Sequence, residues 1–290
     1  MKGKGSDLKI SFHEWTTVPP MPPAAIRLAL DFLRLCLWLL IIMMVFVPLE
    51  RICALHSQKI FRKAFLPDLF LYFLNNLLPK FILIIPMALV GWTVHRVVPS
   101  GFYADVAALP FSIRLAAALF IGEFGFYWGH RWSHAVPFLW NFHSVHHSAE
   151  EMDWLVNTHT HPLDMVFTRL CGFVPIYAMG LSQPAGRSLD FVSIAVIFTS
   201  TLWGFFVHAN LRWRLGPLEW LIASPAFHHW HHDNNAPQAK NFSSLLPCLD
   251  IIFGTHHKPG TAWPAKYGIG TVASDHAAAD APVLSQFAVD

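Results

Sequence analysis

The residues of this chain best suited to chemistry are its histidines, which are concentrated in three short clusters. The chain has 18 histidines, and the first cluster, "HRWSH", places His130 and His134 about one helical turn apart. The second and third clusters, "HSVHH" from His143 and "HHWHH" from His228, both contain the pattern H-x-x-H-H. Residues three and four apart share one face of a helix, so each cluster can direct its rings at one metal ion or divide them between two.

The number of histidines in metal-ligand spacing favours two ions over one. A single pair at this spacing is a weak signal, because such pairs are common on helices, but three clusters are not. A zinc ion takes about four ligands, so eight histidines exceed one site and suit two ions with positions left open for a small molecule. The eight are His130, His134, His143, His146, His147, His228, His231 and His232.

Composition places these histidines in a membrane protein. Hydrophobic residues make up 54% of the 290 residues and charged residues only 13%, whereas an ordinary soluble domain has about 25% charged residues. A net charge of +2, with lysines and arginines scattered along the chain, argues against a nucleic-acid-binding protein. The four cysteines are far apart and lack CxxC spacing, which favours buried free thiols over disulfides.

Five apolar stretches are long enough to be considered as membrane spans, since about 20 apolar residues cross a bilayer. Pro79 and Lys80 interrupt the second stretch, which predicts one long kinked helix or a re-entrant pair. The sequence therefore predicts an all-α polytopic membrane bundle of four or five spans. The stretches run from Ile26 to Pro48, Leu69 to Val98, Phe111 to Gly129, Leu163 to Leu181 and Leu189 to Val207.

Loop charge orients these spans. The loop after the first stretch contains Arg51, Lys59, Arg62 and Lys63, so the positive-inside rule places it in the cytoplasm. The third stretch then returns to deliver His130 to the same side, and the last two stretches form a hairpin that leaves and comes back. We therefore expect a cytoplasmic, histidine-rich helical cap on a bacterial inner membrane or an ER-like membrane.

The membrane setting favours iron among the possible metals. Imidazole binds zinc, copper, iron and nickel, so the ligands alone do not choose. A bilayer offers long apolar chains that lack an easily hydrolysed group, and attacking such a chain requires an oxidant. Iron with dioxygen supplies one.

Several segments between Phe111 and Thr255 resemble the fatty acid hydroxylase, or sterol desaturase, superfamily of integral-membrane di-iron enzymes. The matching segments occur in the family's order, and the last ones are particularly similar to bacterial members and to the alkylglycerol monooxygenase branch. They are "HRWSH", "HSVHH" followed by "SAEEMDW", then "THPLD", "FFVHANLRWRLGPLEWLIASPAFHHWHH" and "KNFSSLLPCLDIIFGT".

The resemblance implies two iron ions, dioxygen as co-substrate, a lipid substrate and a separate electron-donating reductase. It makes the eight histidines iron ligands and His208 a further ligand. His161, in the "HPLD" context, is implied as a ligand or as a group that contacts one. His229 matches a variable position. His159, His256 and His257 are left as surface or interfacial residues.

Carboxylates near the histidines are candidates for supporting roles. Glu123 lies inside the third apolar stretch, where an ionisable group indicates function by default. Asp153 and Asp233 lie beside histidine clusters, and we take these three as the candidate catalytic carboxylates. The wider set of acids that could orient ligand rings includes Glu150, Asp164 and Glu219.

The chain is expected to have three parts and one main activity. Residues 1–25 form a polar, proline-rich segment without a removable signal peptide, residues 26–263 the membrane-embedded oxygenase domain, and residues 264–290 a peripheral tail. The favoured activity is hydroxylation of a lipid C–H bond. Desaturation or ether cleavage at the same site is the alternative enzyme activity, and a non-catalytic membrane metal carrier is the alternative from another class.

Overall fold

The computed structural model describes residues 23–182, 191–234, 239–258 and 260–269, and this part of the chain is built from helices. Its only pairings of extended backbone are two isolated bridges, Ala54 with Leu211 and Asp233 with Tyr267. The predicted all-α class is confirmed. The helices are α1 (Ala24–Ile52), α2 (Phe65–Leu77), α3 (Pro79–Ile82), α4 (Ile84–Val97), α5 (Ser100–Ala108), α6 (Phe111–Ala135), α7 (Pro137–His147), α8 (Pro162–Ala178), α9 (Phe191–His208), α10 (Pro225–His231) and α11 (Cys248–Ile252).

Two helices, α1 and α9, are long and apolar enough to cross a membrane by themselves. Two bent pairs also qualify if each counts as one span: α2 and α3 with α4, bent by 47°, and α5 with α6, bent by 117°. The described helices therefore offer two to four candidate spans, and only the upper count reaches the predicted four or five. Helix α8 covers most of the fourth predicted stretch but has only 17 residues and is not among the candidates.

The predicted interruption of the second stretch is present but shifted. Pro79 occupies the first position of α3, where its missing N–H costs little. The 47° bend falls four residues later, between Ile82 and Ile84. A bend of this size fits both predicted forms of the segment, a kinked span and a re-entrant pair.

Helices α6 and α8 pack at unusually short range, which fixes the position of one metal-binding helix. A Cβ added at Gly125 would lie 2.0 Å from the carbonyl oxygen of Cys171, and one at Gly129 would lie 2.8 Å from the Cys171 Cβ. Only glycine permits this approach of the two backbones.

The four cysteines of the chain are free and half-buried.

A cap of short elements lies at the end of α6 where the histidines begin. Helix α7 follows α6 after one residue, and its first residue is Pro137. The 3-10 turn Trp154–Thr158 starts at Asp153, whose carboxylate accepts the backbone N–H groups of Leu155 and Val156. Helix α10 starts in the same way, with Ser224 Oγ accepting the N–H of Phe227.

The beginning of the predicted peripheral tail belongs to the fold. Tyr267 is buried and packs with Ala149, Met152 and Val156. The predicted N-terminal segment, apart from its last three residues, and residues 270–290 of the tail lie outside the described residues.

Candidate metal centre

Nine histidines converge in two clusters at the cap end of the helices. In each cluster the candidate ligand atoms, one per residue, all lie within 4.8 Å of one another. Eight are the histidines of the three sequence clusters and the ninth is His208, at the end of α9. We call His130, His134, His143, His147 and His231 the five-histidine cluster, and His146, His208, His228 and His232 the four-histidine cluster.

Each H-x-x-H-H box divides its rings between the two clusters. In α7, His143 and His147 enter the five-histidine cluster while His146 enters the other. In α10 the assignment is reversed, because His228 is in the four-histidine cluster and His231 in the five-histidine cluster. Of the two arrangements that the spacing allows, the structure has the one in which a box serves two sites.

The two clusters adjoin. The rings of His147 and His232, one from each cluster, are stacked with centroids 4.5 Å apart, and those of His146 and His147, also one from each cluster, are 5.5 Å apart. His228 and His231 are also stacked across the boundary, at 5.2 Å. Two ions held here would be close neighbours, as in sites where one small molecule meets both.

Protein groups fix the orientation of the ligand rings in the five-histidine cluster. The Nδ1–H of His130 donates to the carbonyl oxygen of Phe242 at 2.6 Å, and that of His231 to the carbonyl of Lys240 at 2.7 Å. His143 Nδ1 lies 3.0 Å from the Asp164 carboxylate. Because these oxygens accept, the proton is on Nδ1 and the lone pair of Nε2 is left for a metal.

The four-histidine cluster uses backbone carbonyls. His146 Nδ1–H donates to the carbonyl of His159 at 3.1 Å, and His208 Nδ1–H to that of Gly204 at 2.7 Å. The Nε2 atoms of His146 and His208 then face each other at 3.2 Å. Neither has a proton to share, so two lone pairs oppose each other unless a cation lies between them.

Buried ring nitrogens without a partner also show that a metal fits these residues. Polar atoms buried without a hydrogen bond are rare in proteins because they lose solvation without compensation. Two occur in the five-histidine cluster, Nε2 of His147 and Nε2 of His231. In the four-histidine cluster His228 and His232 have no partner for Nδ1, and their Nε2 atoms face each other at 3.2 Å. The donor set, all imidazole, suits a transition metal ion.

Burial favours the neutral form of five of these rings, and the neutral form is the one that binds metal. Desolvation and then the neighbouring histidines lower the pKa of His146 and His147 well below its usual value. The same causes act on His228 and His232. Desolvation lowers the pKa of His231 to about 3.

The structure does not bring His161 into either cluster. It is the N-terminal cap of α8, with Nδ1 accepting the backbone N–H of Leu163 at 3.2 Å. Its ring packs against Phe142, with centroids 4.9 Å apart. The family resemblance implied that His161 is a ligand or contacts one. The described contacts of its side chain are with Leu163 and Phe142 and include no histidine of either cluster.

None of the three candidate catalytic carboxylates joins a cluster among the described residues. Glu123 accepts the backbone N–H groups of Ser244 and Leu245, both at 2.6 Å, and so holds the segment that carries Phe242. Asp153 pairs with Arg62.

Asp233, the third candidate, is half-buried, and its backbone forms an isolated antiparallel bridge with that of Tyr267. Of the wider set, Glu219 accepts from Leu215 N–H and Ser224 Oγ, and Glu150 is exposed.

Asp164 is the carboxylate that contacts a ligand, through His143, and it also accepts from Ser133 Oγ at 3.2 Å. The sequence offered it only as one of several acids. Its position three residues after His161 in "HPLD", in the first turn of α8, is the signal that could have ranked it higher.

Two histidines that were not predicted to bind metal, His229 and His159, are buried and half-buried, respectively. His229 is fully buried, with Nδ1 2.9 Å from Tyr267 Oη and Nε2 3.1 Å from the carbonyl of Ala209, so neither ring nitrogen is left for a metal. His159 is half-buried, and its backbone carbonyl holds His146. No side-chain pattern reports a backbone role of this kind, so the sequence could not have indicated it.

Comparison with known proteins gives a consistent result. The family model described as fatty acid hydroxylase matches residues 115–255. The chain is 32% identical over 162 residues to the ornithine lipid hydroxylase OlsE of Rhizobium tropici, covering 55% of this chain and 46% of that protein. It is 32% identical over 139 residues to the alkylglycerol monooxygenase of Xenopus tropicalis, covering 47% of this chain and 29% of that protein.

A third relative, methylsterol monooxygenase 2-2 of Arabidopsis thaliana, is 28% identical over 185 residues, or 62% of this chain and 66% of that protein. The matches therefore span less than half the length of the hydroxylase and of the alkylglycerol enzyme. No solved structure matches the chain significantly.

Proposed function

Since residues 115–255 belong to the fatty acid hydroxylase family, we propose that this protein is a membrane di-iron oxidoreductase that uses dioxygen to hydroxylate a C–H bond of a lipid. The observation that carries the proposal is the pair of adjoining clusters, in which nine imidazoles leave opposed or unpartnered nitrogens. The relatives are named hydroxylases and monooxygenases, which supports an oxidoreductase.

The five-histidine cluster would hold one iron and the four-histidine cluster the other. Iron bound there supplies the redox chemistry with dioxygen that attack on an unactivated C–H bond requires. Asp164 and the carbonyls of Phe242 and Lys240 keep the ring protons on Nδ1, so each ring presents Nε2 in a fixed direction. Hydroxylation by dioxygen consumes two electrons and two protons for each oxygen atom inserted and releases water. A separate reductase is therefore the proposed protein partner.

The surroundings of the clusters suit an apolar substrate. His134 is half-buried whereas the other eight ligands are buried, and the half-buried ring of Trp140 lies 5.2 Å from it. We take this edge as the place where a C–H bond approaches. An apolar groove of about 400 Å³ lies between α6 and α8 and is lined by Phe124, Gly125, Trp128, Trp132 and Pro175.

The same site could perform desaturation or ether cleavage, since these outcomes differ in how the substrate is placed. A membrane metal carrier is the alternative from another class. The structure favours the enzyme over the carrier, because the nine ligands form one compact pair of sites at one end of the helices instead of a series of sites across them.

Metal and product analysis of the full chain tests the proposal. We expect about two iron ions per chain after reconstitution in lipid nanodiscs, oxygen uptake with a chemical reductant, and one atom from labelled dioxygen in a lipid product. A single zinc ion that is retained after both His146→Ala and His231→Ala would contradict a di-iron enzyme. A product lighter by two hydrogens would instead assign desaturation.

A further inference from the structure

A buried network of charges lies beside the four-histidine cluster without contributing a ligand to it. Arg62, in the loop between α1 and α2, donates from Nη2 to Asp68 at 2.5 Å and to Asp153 at 2.8 Å, and from Nε to Asp153 at 2.6 Å. All three side chains are buried, with Asp68 fully so. Removing such charges from water is costly, so a buried ion network is weak support for stability, and a role in fixing geometry accounts for it better.

The network continues to His159. The Nδ1–H of the His159 ring donates to the second carboxylate oxygen of Asp68, and Nε2 lies 3.0 Å from Ser148 Oγ. The ring is therefore held at both nitrogens. Thr158 Oγ1 donates to the carbonyl of Asp68 at 3.1 Å, which ties the same turn to α2 a second time.

A further residue of α2 fixes the backbone on both sides of His159. Asn75 Nδ2 donates to the carbonyl of Thr160 at 2.7 Å and to that of Thr158 at 3.3 Å. Asn75 is almost fully buried. The carbonyl of His159, between these two, is thereby given one direction, and it is the group that accepts the Nδ1–H of His146.

Among the described residues, this network reaches a histidine of one cluster, His146. His146 is in the four-histidine cluster, whereas the corresponding acceptors of the five-histidine cluster are Phe242, Lys240 and Asp164, on other segments. We propose that Arg62, Asp68 and His159 are positioning residues that orient His146 and so control metal retention at the four-histidine cluster. The inference rests on the proposed function only in that both clusters bind a metal.

The test uses His159→Phe, which removes both ring bonds and keeps the backbone, alone and in two single-cluster backgrounds. The background His134→Ala damages the five-histidine cluster, and His208→Ala damages the four-histidine cluster. Each full-length protein is loaded with ferrous ion in nanodiscs, and metal per chain is measured during chelator challenge. Removing the hydrogen-bond partner of a metal-ligating side chain lowers the metal affinity of its site about 10–100-fold.

We expect His159→Phe to reduce retained metal from two ions per chain towards one. It should remove nearly all metal from the His134→Ala protein and leave the metal of the His208→Ala protein unchanged. His159→Gln, whose amide can still donate to Asp68, should restore part of the retention. Lys63→Gln, a change at an exposed neighbour of Arg62, is the matched control and should retain both ions.

Equal loss from both backgrounds, or full retention by His159→Phe, would overturn the inference. If His159→Phe does not fold, Asp68→Asn is measured in the same backgrounds, and the same site-selective loss is required. A wild-type protein that holds two ions and shows the selective loss without oxidising lipid would contradict the proposed function alone. A wild-type protein that binds no metal would contradict both.

Discussion

At the scale of single residues, five of the nine rings in the clusters are oriented by an atom that accepts the proton on Nδ1. Asp164 does this for His143 with a carboxylate, and backbone carbonyls do it for four others. A carboxylate acceptor raises the basicity of the imidazole more than a carbonyl does, because the hydrogen bond is charge-assisted. Asp164 is therefore the acceptor with the largest expected effect on a bound metal.

Asp164→Ala should weaken metal binding at the five-histidine cluster by about 10–100-fold, because His143 loses the partner that fixes its tautomer. Chelator competition on the reconstituted protein measures the change. The control is Glu151→Gln, an exposed acid near the same histidines. Equal affinities in the two variants would show that Asp164 does not orient a ligand.

We expect His208 to be a metal ligand and His161 not to be one. His161→Ala should retain about two ions per chain, since it removes only a helix cap and a contact with Phe142. His208→Ala should lose one, because its Nε2 lies 3.0 Å from that of His228 within the four-histidine cluster. Metal content measured by mass spectrometry decides, and a loss of metal in His161→Ala would assign that residue to the site.

His229 gives the fold a pH dependence that is separate from metal binding. Desolvation, with a smaller effect of His208, lowers the pKa of His229 to about 3, against about 6.5 in an unfolded chain. The unfolded state therefore takes up the proton first. The stability from neutral His229 is complete above pH about 6.5 and declines by about 1.4 kcal/mol per pH unit as pH falls towards 3.

The measurement compares thermal unfolding of metal-free wild type and His229→Gln between pH 6.5 and 4.5. The glutamine can bond Tyr267 and the Ala209 carbonyl but does not titrate. Its unfolding free energy should change with pH less steeply, by about one proton's contribution. Parallel pH profiles would show that His229 is not held neutral.

At the scale of elements, the position of the metal-binding cap depends on how α6 meets α8. The backbone contact at Gly125 and Cys171 sets the distance between the helix that carries His130 and the helix that carries Asp164. Glu123, also on α6, holds the segment that supplies the carbonyl of Phe242. The predicted intramembrane acid thus anchors the backbone two and three residues after the carbonyl that orients His130.

Gly125→Ala should destabilise the protein by about 1–3 kcal/mol or more, because the contacting atom is backbone and cannot turn away. We also expect reduced metal retention, since α8 must move with Asp164. Gly101→Ala is the matched control: its Cβ would meet nothing within 4 Å. Thermal unfolding and metal content are measured on both variants, and equal behaviour would contradict the close packing.

At the scale of the whole molecule, the histidine-rich cap and the basic loop lie on one face. Gln58, in that loop, donates to the carbonyl of Met152, next to the 3-10 turn of the cap. Glu50 accepts the backbone N–H groups of Trp154 and Asn210, which joins α1, the cap and the segment after α9. The positive-inside argument for the loop therefore extends to the metal centre.

Cysteines introduced at Lys59 and Glu151, both exposed, should react with a membrane-impermeant maleimide only from the cytoplasmic side. A cysteine at Gly101, beyond the kinked run α2–α4, should react from the opposite side. Labelling on inverted and right-side-out vesicles distinguishes these outcomes. Labelling of the cysteines at positions 59 and 151 from opposite sides would contradict the fold. Labelling of both from the outside would reverse the proposed orientation.

The sequence by itself determined the helical class, the membrane setting, eight of the nine histidines that form the two clusters and the family resemblance. These depend on local spacing and composition, which act within one or two helical turns or over a single span. His208 also came from the sequence, but only through the family resemblance.

Only the tertiary structure decided how the ligands are divided and what orients them. The division of His146 from His147 depends on where α9 and α10 approach α7, and the exclusion of His161 on how α8 begins. The Arg62 network joins Arg62 to Asp153 and Asp68 to His159, in both cases 91 positions apart. The carbonyl of His159 in turn contacts the ring of His146, 13 positions away. Such contacts arise from packing of distant segments, and no spacing along the chain reports them.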